Sequence, residues 1–155
     1  MKTLYNAISI QLKNVGDLKW IDFDTGQLDY HNAMAKEPDR PPVAFPCALI
    51  TIEITNCKSI TDTHQTCDAR ITIRLAFNNT PGRSSSAAPE EAQNLALKPY
   101  DVIADVYACL QGFGTENFDT LNRASQQREK RQDGLFVYSI VFNCKFEDET
   151  ASNTL

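Results

Sequence analysis

The chain predicts an α+β fold: a single domain built on a mainly antiparallel β-sheet, with two amphipathic helices packed on one face. Three observations carry this. Stretches at 43–56, 66–77 and 135–146 alternate apolar and polar residues with a period of two, as strands with one covered and one wet face do. Two further stretches, 3–15 and 99–111, repeat apolar residues at helical spacing. At 155 residues the chain is long enough to bury a core without disulfide or metal staples.

In order along the chain, the first helix is expected over 3–15. Leu4, Ile8, Leu12 and Val15 recur on one side, Thr3 stands at the cap position and Gly16 can end the helix. Residues 18–23 (LKWIDF) are rich in aromatic and β-branched types and predict a short strand. Residues 24–42 carry Gly26, Pro38, Pro41 and Pro42 among polar groups and read as a long excursion outside the core.

Two long strands follow. In 43–56, Ala48, Ile50, Ile52 and Ile54 alternate with Leu49, Thr51, Glu53 and Thr55. In 66–77, Cys67, Ala69, Ile71, Ile73, Leu75 and Phe77 oppose Thr66, Asp68, Arg70, Thr72, Arg74 and Ala76. Burying one large apolar side chain contributes ~1.5–3 kcal/mol before entropy, so this strand and 135–146 should anchor the core. Residues 78–94 predict a loop, with at most a helical turn starting at Pro89-Glu90-Glu91. The second helix is expected over 99–111, with Pro99 in its first position, Asp101 near its positive end and Gly112 closing it. Its stripe is Ile103, Val106, Tyr107 and Leu110. A polar, basic strand candidate from Arg123, an Asp133-Gly134 hairpin turn and the strand 135–146 complete the domain, 1–148. There Phe136, Tyr138, Ile140, Phe142, Cys144 and Phe146 face one way. Residues 149–155 predict a flexible tail.

Composition narrows the function. Hydrophobic content of 42% and charged content of 23% place the chain among globular domains. A net charge of −5 argues against non-specific DNA binding through the whole surface. No apolar run reaches 18 residues, and Asn6, Ser9, Gln11 and Lys13 interrupt any leader-like core at the N-terminus. Five cysteines, an odd number without an export signal, predict reduced thiols in a cytoplasm.

No constellation predicts chemistry. Cys57, His64 and Cys67 lie close in sequence but match no zinc-site spacing, and His31 beside Tyr30 reads as a surface residue. There is no G-x-S-x-G elbow, and Ser84-Ser85-Ser86 reads as linker. Gly112-Phe113-Gly114 follows a helix and so reads as a cap, while Glu90-Glu91 and Asp22 with Asp24 read as solvated surface. No catalytic, cofactor-binding or metal residue is expected. The basic run Arg123, Arg128, Lys130 and Arg131 lacks the exposed aromatics that single-stranded nucleic acid would stack on. Two readings stay open for it: an edge strand protected by its charges, or an assembly surface meeting an acidic neighbour. Arg70 and Arg74 form a second cationic strip.

The order of elements resembles the tail terminator (tail completion) proteins of long-tailed bacteriophages and their prophages, the group of the lambda minor tail protein U. The resemblance runs through the opening helix, the strand at 19–23, VAFPCALITIEI, DARITIRLAF, KPYDVIADVYACLQGF and the hairpin at Gln132-Asp133-Gly134, about residues 3–147. It implies a structural protein, not an enzyme: a ring, usually a hexamer, that ends tail-tube polymerisation and offers a surface for joining the head. Implied partners are further copies of itself, the tail tube protein and the head–tail connector protein. No cofactor, membrane or specific nucleic acid is implied, and the place is the host cytoplasm during assembly and then the virion tail. A closed ring needs head-to-tail interfaces. The wet face (Thr51, Glu53, Arg70, Thr72, Arg74) and the edge strand (Arg123, Arg128, Lys130, Arg131) are the expected contacts. The alternatives are another phage neck or head–tail joining protein and, more distantly, a cytoplasmic ligand-binding domain or enzyme with its site around Tyr30 and His31.

Overall fold

A computed structural model of the protein describes residues 1–29, 41–78 and 85–153. Helix α1 (Lys2–Leu12) is followed by β1 (Trp20–Phe23), β2 (Cys47–Ser59), β3 (Gln65–Phe77), α2 (Glu90–Leu110), β4 (Asn122–Arg128) and β5 (Phe136–Asp148). The five strands form one sheet in the order β1-β2-β3-β5-β4. Only β1–β2 is parallel; the other pairings are antiparallel, so the α+β class with a mainly antiparallel sheet holds.

The period-two patterns set the register. Ile71 pairs with Ile52 and Phe142, and Ile73 with Ile50 and Ile140, which lays apolar rows across three strands. Onto this face α1 places Leu4, Ile8 and Leu12, and α2 places Val102, Ile103, Val106 and Leu110. Gln11 Nε2 donates to the Cys109 carbonyl at 3.0 Å and ties the two helices together.

Element ends depart from the sequence expectations for local reasons. α1 starts at Lys2, so Thr3 lies inside the helix and caps nothing. α2 starts at Glu90, with Pro99 in its interior. Proline removes one helical hydrogen bond, but the residues ahead of it (EEAQNLAL) are mostly strong helix formers, and Glu90 and Glu91 sit by the positive end. Gly112 closes α2 as expected, with φ of +77°. Asp133-Gly134 is not a two-residue hairpin turn: β4 stops at Arg128 and β5 begins at Phe136, with Arg128 opposite Tyr138. The seven intervening residues form a wide loop. Beyond β5, where a frayed tail was expected, Thr150–Asn153 forms a 3-10 turn, and Ser152 Oγ donates to Thr63 Oγ1 at 3.0 Å.

The second face of the sheet is only half wet. Leu28, Cys47, Leu49, Ala76 and Val137 form a small second core, with Val43, Phe45 and Leu135 packed against it. A parallel β1–β2 pair requires a crossover, and the described parts of that crossover, 24–29 and 41–46, cover one end of this face. The expectation that 24–42 lies outside the core fails at Leu28, which is 2% exposed.

Candidate assembly surface

The eight residues expected to form one interface fall into three places. Arg74 and Arg131 are drawn into the covered half of the second face. Glu53, Arg70 and Thr72 lie on its open half. Arg123 and Arg128 sit on the opposite, helix-bearing side, with Lys130 exposed in the loop after β4.

The covered half is an ion network. Arg74 Nε and Nη2 donate to the two oxygens of Glu129 at 2.8 and 2.9 Å, a bidentate pair. Its Nη1 donates to Asp24 at 3.0 Å and Asp29 at 3.1 Å. Arg131 donates to Asp133 at 2.6 Å, Asp29 at 2.8 Å and the Leu28 carbonyl at 2.6 Å. Ser139 Oγ completes the Glu129 side at 3.0 Å. Arg74 is 14% and Arg131 10% exposed at the side chain, so the solvent-facing role expected of both is corrected. Asp24, expected on the surface, is 11% exposed at its side chain.

The electrostatics follow from this geometry. Hydrogen bonds from Arg74 hold the Glu129 carboxyl below its ordinary value, and Arg131 does the same to Asp133. Burial alone would raise Asp29, but hydrogen bonds from Arg131 and Arg74 outweigh it and leave its carboxyl lowered. Hydrogen bonding to Glu129 raises the Arg74 guanidinium in turn. The network is a structural clamp joining the crossover, β3 and the β4–β5 loop.

Sequence reasoning missed Asp29, Glu129, Asp133 and Ser139 in this role. A signal was present: the supposedly wet rows also hold Leu49, Ala76, Leu135 and Val137, all at one end. That apolar end called for a cover, and a charge beside it called for partners.

The open half is ordinary polar sheet surface. Arg70 pairs across strands with Glu53 and Asn143, and Thr72 with Thr51 and Val141. Arg70, Asp68, Thr55, Asn122, Asn143 and Lys145 border an open trough of about 880 Å³. Among the described residues no ion pair engages Arg70. Beside it Lys145 pairs with Asp68 at 3.7 Å, with both side chains exposed, so Arg70 itself can meet a partner without first breaking an ion pair.

The two sides of the sheet end differently. All seven residues of β4 are exposed and none is a large apolar residue. Arg123 stacks its guanidinium 3.9 Å from the centre of the Tyr107 ring, and Arg128 lies 4.3 Å from that of Phe136. At the other end β1 covers β2 only over Cys47–Ile50. Beyond that, Met1, Tyr5, Phe23, Ile50 and Ile52 line an apolar groove of about 630 Å³, with Tyr5 and Phe23 stacked at 4.0 Å.

Two smaller clusters were not legible from spacing. His64 Nε2 lies 3.0 Å from Glu147 and 3.6 Å from Glu149, and ligand atoms of the three fall within 4.8 Å of one another. Both carboxylates are largely exposed, and the ion pairs account for the arrangement. The Cys57 and Cys67 sulfurs stand 3.1 Å apart across β2 and β3, with burial raising the Cys67 thiol. Tyr30, His31 and Ser84 lie outside the described residues.

No family model matches the chain, and no curated protein matches it. The fold is shared. A chain of the virion of the native gene transfer agent particle matches over 93% of this chain and 94% of its own length. The TM-score is 0.51 at 11% sequence identity, a likeness of fold.

Proposed function

We propose that this protein is a structural component of a phage or prophage virion. In this reading it closes into a ring at the end of the tail tube, halts tube polymerisation and presents the surface that joins the head. One observation carries the reading: a fold match to a virion chain that spans nearly the whole of both chains. Two features of the molecule support it. The sheet ends in two unlike, unprotected edges, as a head-to-tail assembly requires. The open half of the second face offers Glu53, Arg70 and Thr72, which form no ion pair among the described residues, as a contact for the tube or a neighbouring subunit. The role is non-enzymatic, with the tail tube protein and the head–tail connector as partners and no cofactor.

The test is tail-tube polymerisation with and without the purified protein, read as tube length and end decoration by electron microscopy. Short tubes with a ring at one end are expected. Arg70→Glu combined with Glu53→Arg should weaken capping while leaving the fold intact. Binding to portal or connector rings but not to tubes would move the protein to the neck. Binding to neither would overturn the assembly role.

A further inference from the structure

We propose that the two open edges of the sheet join copies of this chain head to tail, β4 of one copy lying antiparallel against residues 51–59 of β2 in the next. This rests on the ring reading above and names the backbone that makes the ring.

Both edges have unused main-chain groups. In β4 the Glu129 N–H just beyond the strand donates inward to the Val137 carbonyl at 2.9 Å. Strand alternation then turns Gln127 and Ser125 inward, and the N–H and C=O of Gln126 and Arg128 outward. In β2 the Ile50 carbonyl accepts from the Asp24 N–H at 3.1 Å on the β1 side. The same alternation turns Ile52 and Ile54 outward once β1 has ended. Such groups are a template for another strand. The lengths match, seven residues in β4 against nine in 51–59.

Direction selects the pairing. β2, β3, β5 and β4 alternate along the sheet, so β2 and β4 run oppositely within one copy. A second copy placed alongside in the same orientation therefore meets β4 with an antiparallel β2, and the alternation continues unbroken. Repeating that one rotation closes a ring.

Charge argues against β4 pairing with itself. An antiparallel β4–β4 pair centred on Ser125 would bring Arg123 of each copy beside Arg128 of the other, with no acidic residue in either strand to offset them, and like charges brought together across a sheet destabilise it. Against β2 the faces agree instead. Arg123 and Arg128, whose guanidinium groups lie over Tyr107 and Phe136 of their own copy, stand on the same side as Ile52, Ile54 and the apolar groove, which their methylene stems can cover. On the other side Ser125 and Gln127 face the row holding Glu53, whose carboxylate they can donate to. β4 carries two positive charges and no negative one; 51–59 carries Glu53 and Lys58.

The experiment is native mass across a wide concentration range for the full chain and two variants, with circular dichroism confirming the fold. Gln126→Pro removes one outward N–H of β4, and Ile54→Pro one of β2; proline is tolerated where the N–H faces outward. The parent should form a closed oligomer and each variant a monomer. An equimolar mixture of the two variants should form a 1:1 dimer and nothing larger, because one sound β4 and one sound β2 remain. Ile54→Arg, which keeps the backbone but opposes Arg123 and Arg128, should also give a monomer. A dimer of Gln126→Pro alone would overturn the proposal in favour of β2 self-pairing. Variants that keep the parent's oligomer would overturn edge joining while leaving the ring reading intact. A parent that is monomeric throughout, or a mixture that stays monomeric, overturns it as well; tube capping judges the ring reading separately.

Discussion

Arg70 and Arg74 stand four residues apart on the same strand and the same face, yet they live in different environments. Arg74 is enclosed by Asp24, Asp29 and Glu129; Arg70 is exposed on open sheet. The strand pattern that places both on the second face is identical. What differs is a crossover arriving from nearly 50 residues earlier in the chain. Period-two alternation assigns a residue to a side of a sheet, and distant segments decide whether that side is water.

The largest effect that would break this comparison is the removal of Arg74. Arg74→Met should lower unfolding free energy by about 3–4 kcal/mol in urea titration, because Asp24 and Glu129 are left partly buried without their cation. Next, Leu28→Ala should cost about 2–3 kcal/mol by opening a cavity under the crossover. The network also predicts acid sensitivity. Asp29, Glu129 and Asp133 have folded pKa values below their ordinary 3.8 to 4.5, so the unfolded chain takes up protons first as pH falls. Their stabilisation is present above about pH 4.5 and drains away as pH falls through the lower folded values. The stability gap between parent and Arg74→Met should shrink over that same range, and a constant gap would sink the assignment. Arg70→Glu sets the lower bound, with a change of under about 0.5 kcal/mol. Smallest of all, a thiol reagent should modify exposed Cys57 well before buried Cys67.

Much of the architecture was legible in the residues. Alternation in 66–77 and 135–146 located the two central strands, and the stripe Ile103, Val106, Tyr107 and Leu110 located the second helix. The start of that helix was not legible, because a proline reads as a first helical position, and the helix-forming residues 90–98 ahead of Pro99 outweigh that signal. Nor was the β4–β5 loop: Asp133-Gly134 signals a tight turn, but Arg131 finds four acceptor groups, Asp29, Glu129, Asp133 and the Leu28 carbonyl, only when the loop widens. The candidate surface was half visible. Glu53, Arg70 and Thr72 are where alternation put them. Arg123 and Arg128 lie together on the other side of the sheet, because the irregularity between Arg123 and Ser125 resets the register in a strand with no large apolar residue to reveal it.

The place of β5 has a consequence for synthesis. It is the last of the five strands to be translated, yet it sits inside the sheet between β3 and β4. On the ribosome β3 must wait, one side bare, while roughly 60 residues are added, a delay of roughly 3–12 s at ordinary elongation rates. During that wait the nascent chain shows a long strand with one edge unpaired, the kind of surface that holdase chaperones bind and that aggregates capture. A chain cut before Phe136 would lose the middle of its sheet, not a dispensable margin.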